Sequence, residues 1–344
     1  MKDSFYTSTF LAEILVNYVG NHDVNTVADF CVGGGELLRA AQTKWNKAQY
    51  YGIDISNQAI SSLSVLHPEW LTETCDFLDK NSRSKCSLLK NMSFDLVLLN
   101  PPFTCKGSTI NKVVHNDVSF NVSTAMLFLV ESLKYLKKNG VLFAILPISA
   151  AYSQKDRKIW EVLVNNYNLS ILEERDKQSF RNCNPNIILV SLNSYVCVNP
   201  PQIKEKLRFN MTDISIFRGK LSMYEVKESA FTGKPLIHST NLKNNIIDGL
   251  KYNVNRSQSE VTGPAVLIHR VGNPNMNKIC IIPESVTYVL SDCVIALKTK
   301  TQKDSTMLRD ILFANWKDFI SLYKGTGAKY ITIERLKLFL GLKI

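Results

Sequence analysis

The stretch Phe94-Asp95-Leu96-Val97-Leu98-Leu99-Asn100-Pro101-Pro102-Phe103 sets an almost unbroken apolar run against a stop made of two prolines. A strand that is apolar on both faces is covered on both faces, the mark of a parallel sheet in an α/β fold. The prolines fix the backbone in a rigid turn and present carbonyls rather than amides beyond the strand end. There the Asn100 side-chain oxygen and the Pro101 carbonyl can accept both hydrogens of a planar amine, while Pro102 stiffens the turn and Phe103 offers a flat face to a ring. Acceptance of both hydrogens draws the nitrogen lone pair out of conjugation, and the amine can then attack an electrophilic methyl group in line. Such chemistry needs no metal and no covalent enzyme nucleophile.

Outward from this strand, short apolar runs alternate with helical periodicity between residues 26 and 194. The pattern predicts strands over 26–30, 50–54, 94–99, 141–146, 169–174 and 187–194, and helices over 36–45, 58–66, 123–137 and 156–166, with Ser123 and Asp156 as N-caps. Between the first strand and helix stands Asp29-Phe30-Cys31-Val32-Gly33-Gly34-Gly35-Glu36. The three adjacent glycines, Gly33, Gly34 and Gly35, let the backbone turn sharply under a ligand. The spacing is not the G-x-G-x-x-G of a dinucleotide site, so a nucleoside without phosphate fits better. Asp54, at the end of the next strand, is placed to accept hydrogen bonds from two ribose hydroxyls. Asp76, at the end of a third strand, could take a hydrogen bond from an exocyclic amine while Phe77 lies against the ring.

The 344 residues suit two domains, and 45% apolar with 21% charged residues is an ordinary globular composition. The apolar stretch 141–151 is broken by Pro147 and too short to span a bilayer, and Met1-Lys2-Asp3-Ser4 leads into no signal-peptide core. These features predict a cytoplasmic protein with no membrane partner. The eight cysteines include no C-x-x-C pair and no histidine at zinc spacing, and read as reduced thiols. Charge is unevenly spread. Residues 1–200 hold 19 Lys and Arg against 18 Asp and Glu, a net of +1, whereas residues 201–344 hold 22 against 12, a net of +10. A surplus confined to one segment marks a surface that meets a polyanion. Val198-Asn199-Pro200-Pro201-Gln202-Ile203-Lys204 reads as the linker, because consecutive prolines continue neither helix nor strand. Beyond it the pattern predicts strands over 265–271, 278–283 and 289–297 and a helix over 305–323.

These motifs together resemble the gamma-class N6-adenine DNA methyltransferases of restriction-modification systems, which use S-adenosylmethionine. Tyr6-Thr7-Ser8-Thr9-Phe10-Leu11-Ala12 is similar to the family's N-terminal motif, in which the threonine, here Thr7, helps hold the methionine part of the cofactor. Asp29 to Leu38 resembles the cofactor loop, with Phe30 in the place of a proline and Gly34 in its middle as departures. Asp54, Asp76 and Asn100 to Phe103 match the next motifs in order, and Phe180 resembles a second aromatic wall for the target base. Past the linker, Arg218-Gly219, Ile237 to Thr240, His269 to Gly272, Ser291-Asp292 and Gly325 to Thr332 are similar to the family's target-recognition domain.

The resemblance implies a Rossmann-like α/β catalytic domain over 1–200 with a mostly parallel sheet, and a smaller α+β, basic target-recognition domain over 201–344. It implies S-adenosylmethionine as cofactor, double-stranded DNA as partner and a cognate restriction endonuclease as a second one. Arg270, Lys324 and Lys329 are candidate phosphate contacts. Cytosine-C5 chemistry would need a Pro-Cys nucleophile, and no such pair occurs. Two alternatives stay open: methylation of an amino group in RNA or on protein glutamine, and a non-catalytic DNA-binding subunit with a methylase fold.

Overall fold

The computed structural model describes residues 7–102, 110–175, 185–193, 214–226, 232–255 and 257–342. The chain divides into two compact units, Met1–Pro201 and Gln202–Ile344. The linker read at 198–204 lies outside the described residues.

The first unit runs α1 (Thr9–Tyr18), β1 (Thr26–Asp29), α2 (Glu36–Lys44), β2 (Gln49–Asp54), α3 (Asn57–Leu66), β3 (Leu71–Thr74), a short α4 (Lys80–Lys85), β4 (Phe94–Leu99), β5 (Asn111–His115), β6 (Val118–Val122), α5 (Thr124–Ser132), β7 (Leu136–Pro147), α6 (Ser149–Tyr152), α7 (Arg157–Tyr167), β8 (Ser170–Arg175) and β9 (Ile187–Asn193). Seven strands form one sheet in the order β3-β2-β1-β4-β7-β9-β8. All neighbours from β3 to β7 pair in parallel, and β9 runs antiparallel between β7 and β8. Strand order reverses between β1 and β4, which makes their carboxyl ends the topological switch point where open α/β sheets bind ligands. Leu96 to Leu99 of β4 are fully buried, as the double-sided apolar pattern requires. The fold is the mostly parallel α/β architecture that the sequence implies.

Two local readings need correction. The helix expected over 123–137 ends at Ser132, and β7 already begins at Leu136. Lys137 there pairs with the Asp95 carboxylate at 2.9 Å, a contact across the sheet that the local sequence does not report. Ser123 does cap α5, accepting from the Met126 N–H at 3.3 Å. Asp156 makes no such cap to α7, because its carboxylate accepts from the Ser123 N–H at 2.7 Å and the Ser153 hydroxyl at 3.1 Å.

The second unit contains β10 (Ser215–Arg218), β11 (Lys234–Ile237), β12 (Leu242–Lys243), β13 (Ile246–Ile247), β14 (Asn253–Val254), β15 (Glu260–Thr262), β16 (Ala265–His269), β17 (Cys280–Ile282), β18 (Thr287–Leu290), β19 (Val294–Lys298), α8 (Gln302–Ala314), α9 (Trp316–Ser321) and α10 (Ile333–Leu340). One sheet has the order β10-β19-β16-β17 and a second the order β14-β11-β18-β15. Alternation along β16 builds two cores. Val266 and Ile268 join Leu308, Leu312, Phe319 and Leu336 of the helices, whereas Ala265 and Leu267 join Ile237 and Leu290 of the second sheet. The run expected as one strand over 289–297 is two strands in different sheets, parted where the Asp292 N–H donates to the Leu221 carbonyl. The helix expected over 305–323 breaks at Asn315, whose side chain donates to the Ile311 carbonyl. Among the described residues no helix is long and apolar enough to cross a membrane.

Candidate functional site

The turn after β1 is built by main-chain hydrogen bonds. Asp29 Oδ1 accepts from the Cys31 N–H at 2.9 Å, and the Val32 N–H donates to the Ile53 carbonyl at 3.0 Å, tying the turn to β2. Gly33 and Gly35 have φ of +51° and +85°, the left-handed region that favours glycine. Gly35 has a second reason to lack a side chain, since a Cβ there would sit 2.8 Å from Leu63 Cδ2 and 3.0 Å from the Trp70 ring. The residue opens α2, with its N–H on the Val32 carbonyl and its carbonyl taken by the Arg39 N–H. Arg39 also donates to the Gly34 carbonyl at 2.9 Å and to Glu36 at 2.7 Å.

Asp54 ends β2 beside this turn. Its Oδ2 accepts from the Gly33 N–H at 2.8 Å and its Oδ1 from the Ser56 N–H at 2.8 Å. An ionised carboxylate has about four lone-pair sites, so these bonds fix the group and leave capacity for two hydroxyls. The next residue, Ile55, is 54% exposed, an apolar surface at the strand end that the motif pattern does not reveal. Thr74 pairs with Asp54 in the parallel ladder, which puts Asp76 just past the end of β3. Asp76 is half-buried, and its Oδ1 accepts from the Leu78 N–H at 3.1 Å.

Phe77 is the correction among the cofactor residues. It is 2% exposed, stacked on Phe30 at 4.5 Å between centroids and on Phe128 at 5.5 Å. Its ring is a core group. Phe30, which departs from the family's proline, is 1% exposed and fills the same aromatic core.

At the end of β4, Asn100 is buried, Pro101 is buried and Pro102 is exposed. The Asn100 Nδ2 donates to Thr7 Oγ1 at 2.9 Å, bringing together residues 93 positions apart in the chain. The Cys31 thiol meets the Asn100 main-chain N–H, so the turns after β1 and β4 touch. Burial pushes the Asp29 carboxyl up to about 7, opposed by the hydrogen bond from Cys31 and reinforced by the charges of Asp54 and Glu36. Burial and the neighbouring Asp29 push the Cys31 thiol well up. Thr7, Asp29, Gly33, Gly35, Asp54, Asp76, Asn100 and Pro101 thus line the carboxyl edge of one parallel sheet. Tyr6, Phe103 and Phe180 lie outside the described residues.

In the second unit the three basic candidates sit on interlocked backbone segments. Tyr330 pairs with both Val271 and Lys324, the Gly272 N–H donates to the Lys329 carbonyl, and the Ile331 N–H donates to the Arg270 carbonyl. Arg270 is half-buried, with Nε donating to the Asp292 carbonyl at 2.7 Å. Burial and the nearby Arg218 lower its pKa. Arg335, which no sequence motif singles out, joins this corner: its Nη1 donates to the Leu322 and Tyr330 carbonyls and its guanidinium lies 5.4 Å from the Tyr330 ring centroid.

A parallel sheet with a glycine turn after β1, a carboxylate ending β2 and an Asn-Pro-Pro turn after β4 is the arrangement of a methyltransferase domain. Residues 7–169 match the family described as the methyltransferase small domain, and its cofactor is S-adenosylmethionine. The residues present fit that group, because the glycine turn gives close approach and Asp54 has acceptor capacity for its ribose. Among solved structures, the chain is similar to a provisionally assigned class I S-adenosylmethionine-dependent methyltransferase from Listeria monocytogenes, at 15% identity over 57% of this chain and 62% of that one, TM-score 0.42. It is similar also to the M protein of the type I restriction enzyme EcoKI, at 13% identity over 62% and 47%, TM-score 0.43. A third is the type IIG restriction endonuclease BpuSI, at 12% identity over 97% and 58%, TM-score 0.49. The chain therefore spans less than two thirds of the length of each of these three. No curated protein matches it.

Proposed function

We propose that the chain methylates the N6 amino group of adenine in duplex DNA, in a restriction-modification or phage-defence setting that includes a cognate endonuclease. The observation that carries this reading is the position of Asn100 and Pro101, at the switch point and in contact with the glycine turn through Cys31. When bound, S-adenosylmethionine supplies an electrophilic methyl group. Asn100 Oδ1 and the Pro101 carbonyl would accept the two amine hydrogens, and the lone pair so released would form the N–C bond as the donor's S–C bond breaks with its electron pair going to sulfur, the nitrogen giving up one proton to water. An amino group inside a base pair is out of reach of a buried asparagine, so the base is rotated out of the stack. That costs a few kcal/mol, offset by stacking on Phe103 and Phe180 and by hydrogen bonds in the pocket.

The basic second unit supports duplex DNA over a protein substrate. Its net charge of +10 suits phosphate, with Arg270, Lys324 and Lys329 as contacts. A tritiated-methyl assay offering duplex DNA, RNA and protein in turn, followed by nucleoside analysis, tests the reading. Label in N6-methyl-2′-deoxyadenosine from DNA is the expected result; label confined to RNA or protein overturns it.

A further inference from the structure

The Asn100 side chain carries a carbonyl oxygen and an amino group of nearly equal size, and only the oxygen can accept from a substrate amine. Which one faces the substrate is set by what the other one binds. Thr7 Oγ1 accepts from Nδ2 at 2.9 Å in a buried contact, with Thr7 9% and Asn100 8% exposed. Thr7 is itself held by the start of α1, where Ser8 accepts from the Leu11 N–H at 3.3 Å and Leu11, Ala12, Leu15 and Val16 are buried in the core. The geometry points to Thr7 as a positioning residue that sets specificity. By taking Nδ2 it directs the Asn100 oxygen to the target, so that the site accepts a group with two hydrogens and refuses a carbonyl in the same place. A base with oxygen in place of the amine would set acceptor against acceptor, and leaving buried polar groups unpaired is the strongest ground on which a site rejects an analogue. This inference rests on the reading of Asn100 as the amine-binding residue, and it gives Thr7 a task besides holding the methionine part of the cofactor.

The test uses the full chain with Thr7→Val, which keeps the shape and removes the acceptor, and Thr7→Ser, which keeps the acceptor. The first readout is the Asn100 side-chain amide in nitrogen-15 NMR spectra without substrate, identified by its loss in Asn100→Asp. Thr7→Val should shift both amide protons and speed their exchange with solvent, and Thr7→Ser should leave them near their native positions. The second readout is the single-turnover rate. With S-adenosylmethionine saturating, so that any loss of cofactor affinity does not enter the rate, Thr7→Val should slow transfer by about fivefold or more, the equivalent of one net hydrogen bond, with Thr7→Ser restoring the rate. An unmoved amide spectrum in Thr7→Val overturns the inference, as does equal slowing by valine and serine at saturating cofactor. If the native chain transfers no methyl group to DNA, the proposed function falls, and the amide spectrum still decides the Thr7 contact.

Discussion

The main-chain N–H of Gly33 donates to Asp54 Oδ2 at 2.8 Å, and this bond joins the turn after β1 to the end of β2. The carboxylate assigned to the ribose is therefore also the clasp of the glycine turn, so that cofactor contact and loop shape depend on one side chain.

Asp54→Ala should weaken binding of S-adenosylmethionine by about 1.5–3 kcal/mol, the range for hydrogen bonds to a charged group. It should also lower the melting temperature, because the Gly33 and Ser56 N–H groups lose their acceptor. Calorimetry and thermal melting read the two effects separately; unchanged affinity contradicts the ribose assignment.

Asp29 should make stability depend on pH. Burial holds its carboxyl at about 7 against an ordinary value of 3.8, so the protonated form is the one the fold favours. Its stabilising contribution is full below about 3.8 and is lost as pH rises through about 7, amounting to up to ~4 kcal/mol. Asp29→Asn stays neutral and keeps an oxygen for the Cys31 N–H. The variant should melt higher than the native chain above pH 7, and the difference should vanish near pH 4. Parallel melting curves across that range would remove the buried-carboxyl account. The cationic cofactor should bind the native chain more tightly as pH rises through 7, a trend that Asp29→Asn should flatten.

Asn100→Ala should cut methyl transfer by about 100-fold or more while leaving cofactor and DNA affinity near native, because its oxygen acts mainly as the amine becomes nucleophilic. Phe103→Ala should instead weaken capture of the extruded base. Single-turnover rates and equilibrium binding of both variants separate these outcomes.

What the sequence made legible was what local pattern controls. The apolar run into β4 and the carboxylate of Asp54 are fixed by residues within a few positions, and the structure places both at the same sheet edge. The β5–β6 hairpin is absent from the strands expected above, although it carries a weak local signal: valines on both sides of Asn116-Asp117, which take φ of +48° and +62° as a two-residue hairpin turn does. Other features have none. Nothing near Phe77 shows that it stacks on Phe30, and nothing near Asp156 shows that Ser123 claims its carboxylate before α7 can. The Thr7–Asn100 contact spans 93 positions and exists only once the sheet has formed.

Charge reversal in the second unit should separate binding from folding. Lys324→Glu with Lys329→Glu should weaken DNA binding and reduce the dependence of affinity on salt, by about 0.9 in slope for each phosphate no longer neutralised. Arg270→Glu should also lower the melting temperature, since its Nε holds the Asp292 carbonyl. Fluorescence anisotropy at several salt concentrations measures the slope. An unchanged slope in the lysine pair places the DNA face elsewhere.

The central claim is that Asn100 and Pro101 present an adenine amine to a methyl donor, and sequencing of modified bases in DNA from cells expressing the chain tests it most directly. The account predicts N6-methyladenine in a defined short sequence context with the native chain and none with Asn100→Ala. N6-methyladenine persisting with Asn100→Ala, or none with a native chain that binds S-adenosylmethionine and duplex DNA, would contradict it.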